Sequence, residues 1–343
     1  MLLAAAPEVG MQPDEAGFLP LHVAAQNGHT AVVQQLVAAA AEATMQETED
    51  GWLPLHMAAQ NGHTAVVQQL VAAAAEAAMQ ATEEGWLPLH LAAQNGHTAV
   101  VQQLVAAAAE AAMQATEEGW LPLHFAARNG HTAVAQQLLV AAAEAATRPD
   151  EDGWLPLHFA ARNGHTTVVQ QLLEAAAEAA MQASEEGWLP LHFAARHGHQ
   201  AVVQQLLAAA AGAAMQATEE DWLPLHVAAQ NGRTAVVQQL LEAAAEAATR
   251  PDEDGWLPLH FAARNGHTTV VQQLLVAAAE AAMQATEQGW LPLHVAAQNG
   301  RTAVVQQLLE AAAEAATRPD EDGWLPLHFA ARNGHTKVVQ QLL

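Results

Sequence analysis

The side chain most able to do acid-base or metal chemistry near neutral pH is histidine, and the chain carries 19 of them. Ten close the tripeptide Pro-Leu-His, from His22 to His328, and eight follow Asn-Gly or its variant, which leaves only His197 outside a pattern. The two patterned positions are seven residues apart across a turn, and the His-Glu-x-x-His spacing that puts two imidazoles on one helix face toward zinc occurs nowhere. The Pro-Leu-His rings therefore read as buried or half-buried groups bonded to neighbouring backbone, with no metal site and no cofactor. His192, His197 and His199 are the exception. Around them Gln200 replaces a Thr, Gly212 replaces a Glu and Asp221 replaces a Gly, so a metal cluster, a local hinge and neutral drift all stay open there.

The second chemical signal is a set of nine tryptophans, Trp52, Trp86, Trp120, Trp154, Trp188, Trp222, Trp256, Trp290 and Trp324. Carboxylates run beside them: Glu49 and Asp50, Glu83 and Glu84, Glu117 and Glu118, Glu151 and Asp152, Glu185 and Glu186. Indole faces attract Arg and Lys, and carboxylates accept charge-assisted hydrogen bonds, so the pair suits an extended basic segment of a partner protein. The competing reading makes each Trp a plug against the neighbouring turn, its acids merely solvating the loop, because large apolar groups dominate packing.

Most other chemistry is excluded by composition. The chain has no Cys, a single Lys, Lys337, and a single Ser, Ser184. There is no thiol nucleophile, no Gly-rich loop followed by Lys for phosphate, and no Gly-x-Ser-x-Gly elbow. Catalysis is not expected, and neither is a small-molecule substrate. A formal charge of −25 repels phosphate backbones, which argues against nucleic acid. Glu or Gln interrupts every Ala-rich run before it reaches membrane-spanning length, and the N-terminus lacks a basic signal-peptide region. A soluble intracellular chain, cytoplasmic by default, is the expectation. Full histidine protonation would change −25 to −6, so a spring responding near pH 6 is a further reading.

What positions these groups is a repeat. Pro-Leu-His recurs at Pro20 and every 34 residues thereafter to Pro326, a period that means a solenoid. Within one copy, Pro54 suits the first position of a helix running to Gln60, Asn61-Gly62 stops it in the left-handed region, and Thr64 is the best residue type to cap a second helix starting near Ala65. Val66, Val67, Leu70, Val71 and Ala74 keep helical spacing, while Gln68, Gln69 and Glu76 can face water. Neither helix buries its apolar face alone, so Leu55, Ala58, Ala59, Val66, Val67 and Leu70 should pack on the same positions of adjacent copies. Residues 1–16 align with the rear half of a copy and 17–343 form the array, its last copy truncated. Half-copies at both ends, with no polar-faced cap, lead to the expectation of a piece of a longer array.

The pattern Gly-x-x-Pro-Leu-His-x-Ala-Ala-x-x-Gly-His-x-x-Val-Val-x-x-Leu-Leu resembles the ankyrin repeat over residues 17–343. The resemblance implies an all-α solenoid of ten near-identical repeats plus a partial one, each repeat an L-shaped helix pair with a projecting turn. It also implies a protein-binding surface, contacted through the projecting turn where the Trp residues stand. Two departures bear on this. Leu53 and its equivalents replace the family's Thr, removing a hydroxyl cap and the Thr-to-His hydrogen bond, which leaves the orientation of His56 open. The rear of the repeat reads Ala-Ala-Glu-Ala-Ala, and Ala prolongs helices where Gly ends them. The second helix is therefore expected to be extended and the turn to be an irregular loop, with little or no strand. The functional expectation is a non-enzymatic scaffold presenting an acidic, Trp-lined face to a protein partner. The alternative is the targeting or adaptor array of a longer enzyme or membrane protein whose other domain lies outside this chain.

Overall fold

The computed structural model describes residues 7–343. Among these there are twenty α-helices, two per repeat, and no strand. None of these helices is long and apolar enough to cross a membrane.

Repeat two shows how the sequence builds the unit. Pro54 takes the first helical position and Leu53 before it is extended, as the residue preceding proline prefers. The helix spans Pro54–Gln60, and Gly62 then adopts φ 76°. A Cβ at Gly62 would lie 2.6 Å from Nδ1 of His97 in the next repeat, so close approach as well as backbone sign requires glycine there.

The second helix spans Thr64–Ala73. Thr64 is its first helical residue rather than its cap: the flanking residue is His63, which makes no side-chain cap bond. The Thr64 hydroxyl instead donates, at 3.5 Å, to the Gly62 carbonyl. The expected extension of this helix does not occur. Ala74 leaves the helical region at φ −147°, ψ 90°, and Ala75–Met79 form a separate 3-10 turn. Helix propensity is a weak force against tertiary packing. The break directs Ala74, Ala77 and Ala78 inward, where all three are buried. The turn that follows is also regular, not irregular. Gly85 N–H bonds Thr82 C=O at 3.0 Å, Thr82 N–H bonds Trp86 C=O at 2.9 Å, and Glu83 N–H reaches Asp50 C=O of the preceding turn at 3.3 Å.

By contacts the chain falls into two compact units, Met1–Ala179 and Ala180–Leu343. In the first, Pro54–Gln60 packs between Pro20–Gln26 and Pro88–Gln94; in the second, Pro224–Gln230 packs between Pro190–His197 and Pro258–Asn265. The core of repeat two is the set expected from spacing. Leu55, Ala58, Ala59, Val66, Val67 and Leu70 are all at most 1% exposed, and each larger side chain among them contributes roughly 1.5–3 kcal/mol by leaving water.

Candidate functional site

The histidines are stitches between repeats. Nδ1 of His56 accepts the Leu53 N–H at 3.0 Å, and its Nε2–H donates to the Trp86 carbonyl of the next repeat at 3.0 Å. The first bond holds the N–H of Leu53 itself, and the His56 N–H that a Thr hydroxyl could have accepted turns to the Leu53 carbonyl at 3.0 Å, so the ring stays fixed although the hydroxyl cap is gone. His124, His192, His226, His260 and His294 bond the next tryptophan's carbonyl in the same way. Burial pushes His56, His90, His124, His192 and His260 down to about 4 and His226 to about 3, because the imidazolium would be desolvated. The expectation that all histidines charge near pH 6 is thereby corrected.

The second histidine row crosses in the other direction. Nε2–H of His63 donates to Gln26 C=O at 2.9 Å, and where this histidine is replaced, Arg233 and Arg301 use Nε on the equivalent carbonyls, both at 2.9 Å. The three histidines of repeat six do not converge. His192 spends both ring nitrogens on backbone, while His197 and His199 stack on each other at 6.0 Å. Among the described residues no group of three or more His, Asp or Glu is placed to hold a metal ion. Gly212 sits in the 3-10 turn Ala211–Met215, which has the same place in repeats one to nine, and not inside an α-helix.

All nine tryptophans stand half-buried at the bases of the turns, and all eight acids from Glu49 to Asp152 named beside the first four are exposed. Each tryptophan thus stands half in water, the first four beside exposed acids, but the indoles are not alike. Trp120 has Phe125 of its own repeat at 4.9 Å and Phe159 of the next at 4.5 Å, and the Arg128 guanidinium lies 5.3 Å from its ring centre. Arg162, Arg196, Arg264 and Arg332 cover Trp154, Trp188, Trp256 and Trp324 at 5.6 to 5.9 Å. Wherever the first helix reads Phe-Ala-Ala-Arg, its tryptophan already has a cation. At Trp52, Trp86, Trp222 and Trp290 the corresponding residue is Gln60, Gln94, Gln230 or Gln298.

One position that shapes the turn escaped the sequence reading. Each turn opens with a residue whose side chain accepts the backbone N–H of the tryptophan four residues on. It is Thr82 at 3.1 Å in repeat three, and Asp150, Asp252 and Asp320, each at 2.7 Å, in repeats five, eight and ten. Thr, Ser and Asp alternating at one site is the available signal, since these types close such turns. The three Asp side chains are at most 8% exposed. Desolvation raises the Asp150 carboxyl and brings Asp252 up to about 6, the neighbouring acids adding to the shift.

A profile described as ankyrin repeats, in sets of three copies, matches residues 2–80, 21–117, 55–148, 90–183, 123–219, 209–286 and 259–343. The chain belongs to the ankyrin-repeat family. Ankyrin repeats are in general protein–protein interaction modules and typically non-enzymatic. No curated protein matches the chain in sequence.

Proposed function

We propose that the turn face, with its half-buried tryptophans and exposed carboxylates, docks an extended basic segment of a partner protein and performs no catalysis. The observation that carries this reading is the juxtaposition repeated at each turn. An indole is held half in water beside acids such as Glu83 and Glu84, on a turn whose backbone is tied to its neighbour by the Glu83 to Asp50 bond. Such pre-organisation lowers the ordering cost of binding. The packing reading is not discarded, because Phe and Arg contacts occupy part of several rings; both roles operate in one side chain, whose inner part packs while its edge stays wet.

The test is tryptophan fluorescence of the folded chain titrated with Arg-rich peptides at physiological salt. An emission shift that saturates, and that weakens at least tenfold when Glu83, Glu84, Glu117 and Glu118 are changed to Gln, is the expected result. Emission that is shielded from iodide and unmoved by any basic peptide would leave the tryptophans as packing alone.

A further inference from the structure

Repeats four and five enclose a cleft of about 330 Å³ lined by Trp120, Arg128, Asp150, Asp152, Trp154 and Arg162, among others. A cleft of the same volume lies at the matching place between repeats seven and eight, lined by Glu220, Trp222, Asp252, Glu253, Asp254 and Trp256, with Phe261 and Arg264. The two differ in charge. In the first, two guanidiniums face two carboxylates. In the second, Gln230 stands where Arg128 would be, so one guanidinium faces four carboxylates, and that guanidinium stacks on Trp256 at 5.8 Å. Trp222 is held from one side by Phe261 at 4.8 Å.

All five arginines available at this position lie over the tryptophan of their own repeat, at 5.3 to 5.9 Å from its centre. The molecule itself therefore shows what a guanidinium does beside such an indole. In the cleft at Trp222 the phenylalanine of the next repeat, Phe261, is kept, and Val227 stands where Phe125 packs on Trp120. The lining carries more negative charge, and the ring has no arginine of its own repeat. Oδ1 of Asp252 accepts from Trp256 N–H at 2.7 Å and Asp254 N–H at 3.1 Å; its Oδ2 takes no hydrogen bond among the described residues. Repeats nine and ten match it in part: Gln298 is in the arginine position and Gln288 takes the place of Glu220, leaving one carboxylate fewer, while Phe329 lies 5.0 Å from Trp290 and Asp320 replaces the turn hydroxyl with its Oδ1 on Trp324 N–H.

We infer that the cleft between Trp222 and Trp256 and the matching place between Trp290 and Trp324 are two sockets, each taking one arginine side chain of the partner in the pose Arg128 adopts over Trp120. This rests on the docking reading above and narrows it to a ligand pattern. Arginine fits better than lysine because its planar group stacks on indole while its in-plane N–H donors reach carboxylates. The sockets are two repeats apart. With packed helices about 8–10 Å apart this is roughly 16–20 Å, which an extended chain rising about 3.3 Å per residue covers in five or six residues.

The experiment uses the full chain and a Gly/Ser/Ala peptide with two arginines six residues apart, read by calorimetry and tryptophan fluorescence. Gln230→Arg with Gln298→Arg fills both sockets from within. The change should fold, since five repeats carry that arginine, and a melt checks it. The expected result is at least a tenfold rise in Kd. Gln204→Arg with Gln272→Arg, the same charge added at exposed positions of second helices, should stay within twofold, and moving the peptide's arginines to three residues apart or replacing them with lysine should weaken binding. Binding lost equally in both double variants, or kept in both, overturns the sockets; if the Glu83, Glu84, Glu117 and Glu118 changes still weaken Arg-rich peptides, the docking face stands without them. Failure of every Arg-containing peptide to bind overturns both.

Discussion

A buried imidazole with both nitrogens engaged is a structural part, and its value can be measured one residue at a time. In repeat four, His124 accepts the Leu121 N–H at 3.0 Å and donates to the Trp154 carbonyl at 3.1 Å. His124→Leu keeps the volume and abandons both backbone groups in a site with 0% exposure. Each orphaned group costs about 1–3 kcal/mol, so a loss of roughly 2–6 kcal/mol is expected in urea unfolding. A loss below about 1 kcal/mol would mean that burial and not bonding holds the ring. The same reasoning explains why Leu can replace Thr ahead of Pro-Leu-His. The imidazole reaches back to the helix start, and Leu53, 0% exposed, adds apolar burial that a hydroxyl would not.

Local signals in an element were legible where they act over a few residues and illegible where they act between repeats. Proline at the first position and Asn-Gly after the last place the helix at Pro54–Gln60, as read from the sequence. The second helix was misjudged because alanine propensity says nothing of where the next repeat needs a methyl group, and Ala74 breaks the helix to bury it. Arginine over tryptophan links residues eight apart along the first helix, and the clefts link the same position of adjacent repeats, contacts that the 34-residue period places side by side without saying which side chains meet. Asp221 marks the same limit from another side. It is the one non-glycine residue among those described with positive φ, at 57°, in the turn position where a Cβ on Gly51 would come within 2.9 Å of Glu83 N. The left-handed region costs a non-glycine residue about 1 kcal/mol or more, less for Asp than for most. Asp221→Gly should therefore stabilise the second unit by about 1 kcal/mol in thermal or urea unfolding, whereas Gly51→Ala should destabilise the first by at least as much.

At the scale of the whole molecule the buried histidines act in sum, and the sign of their effect follows from where they titrate. In the unfolded chain each takes a proton near pH 6.5, whereas in the fold His56, His90, His124, His192 and His260 hold out to about 4 and His226 to about 3. Between these limits the unfolded state binds more protons, so stability is full above about 6.5 and is lost as pH falls toward 4. A displacement of that size corresponds to roughly 3 kcal/mol per histidine. Asp252, raised to about 6, works in the opposite direction over part of the range, since its folded form binds the extra proton first. It is far outnumbered. Repeats contribute stability as a sum of neighbouring interfaces, so the histidine effects accumulate along each unit instead of being confined to one site. The expected outcome is a urea midpoint and a melting temperature that are steady above pH 6.5 and drop steeply from there to pH 4, with proton uptake on unfolding at pH 5 approaching one per buried histidine. A spring driven by full histidine protonation would instead change the scattering profile of the still-folded chain between pH 7.5 and 5.5. The buried set stays neutral there, so the profile should hold until the chain unfolds, and expansion ahead of unfolding would show that the Pro-Leu-His rings are open to water after all.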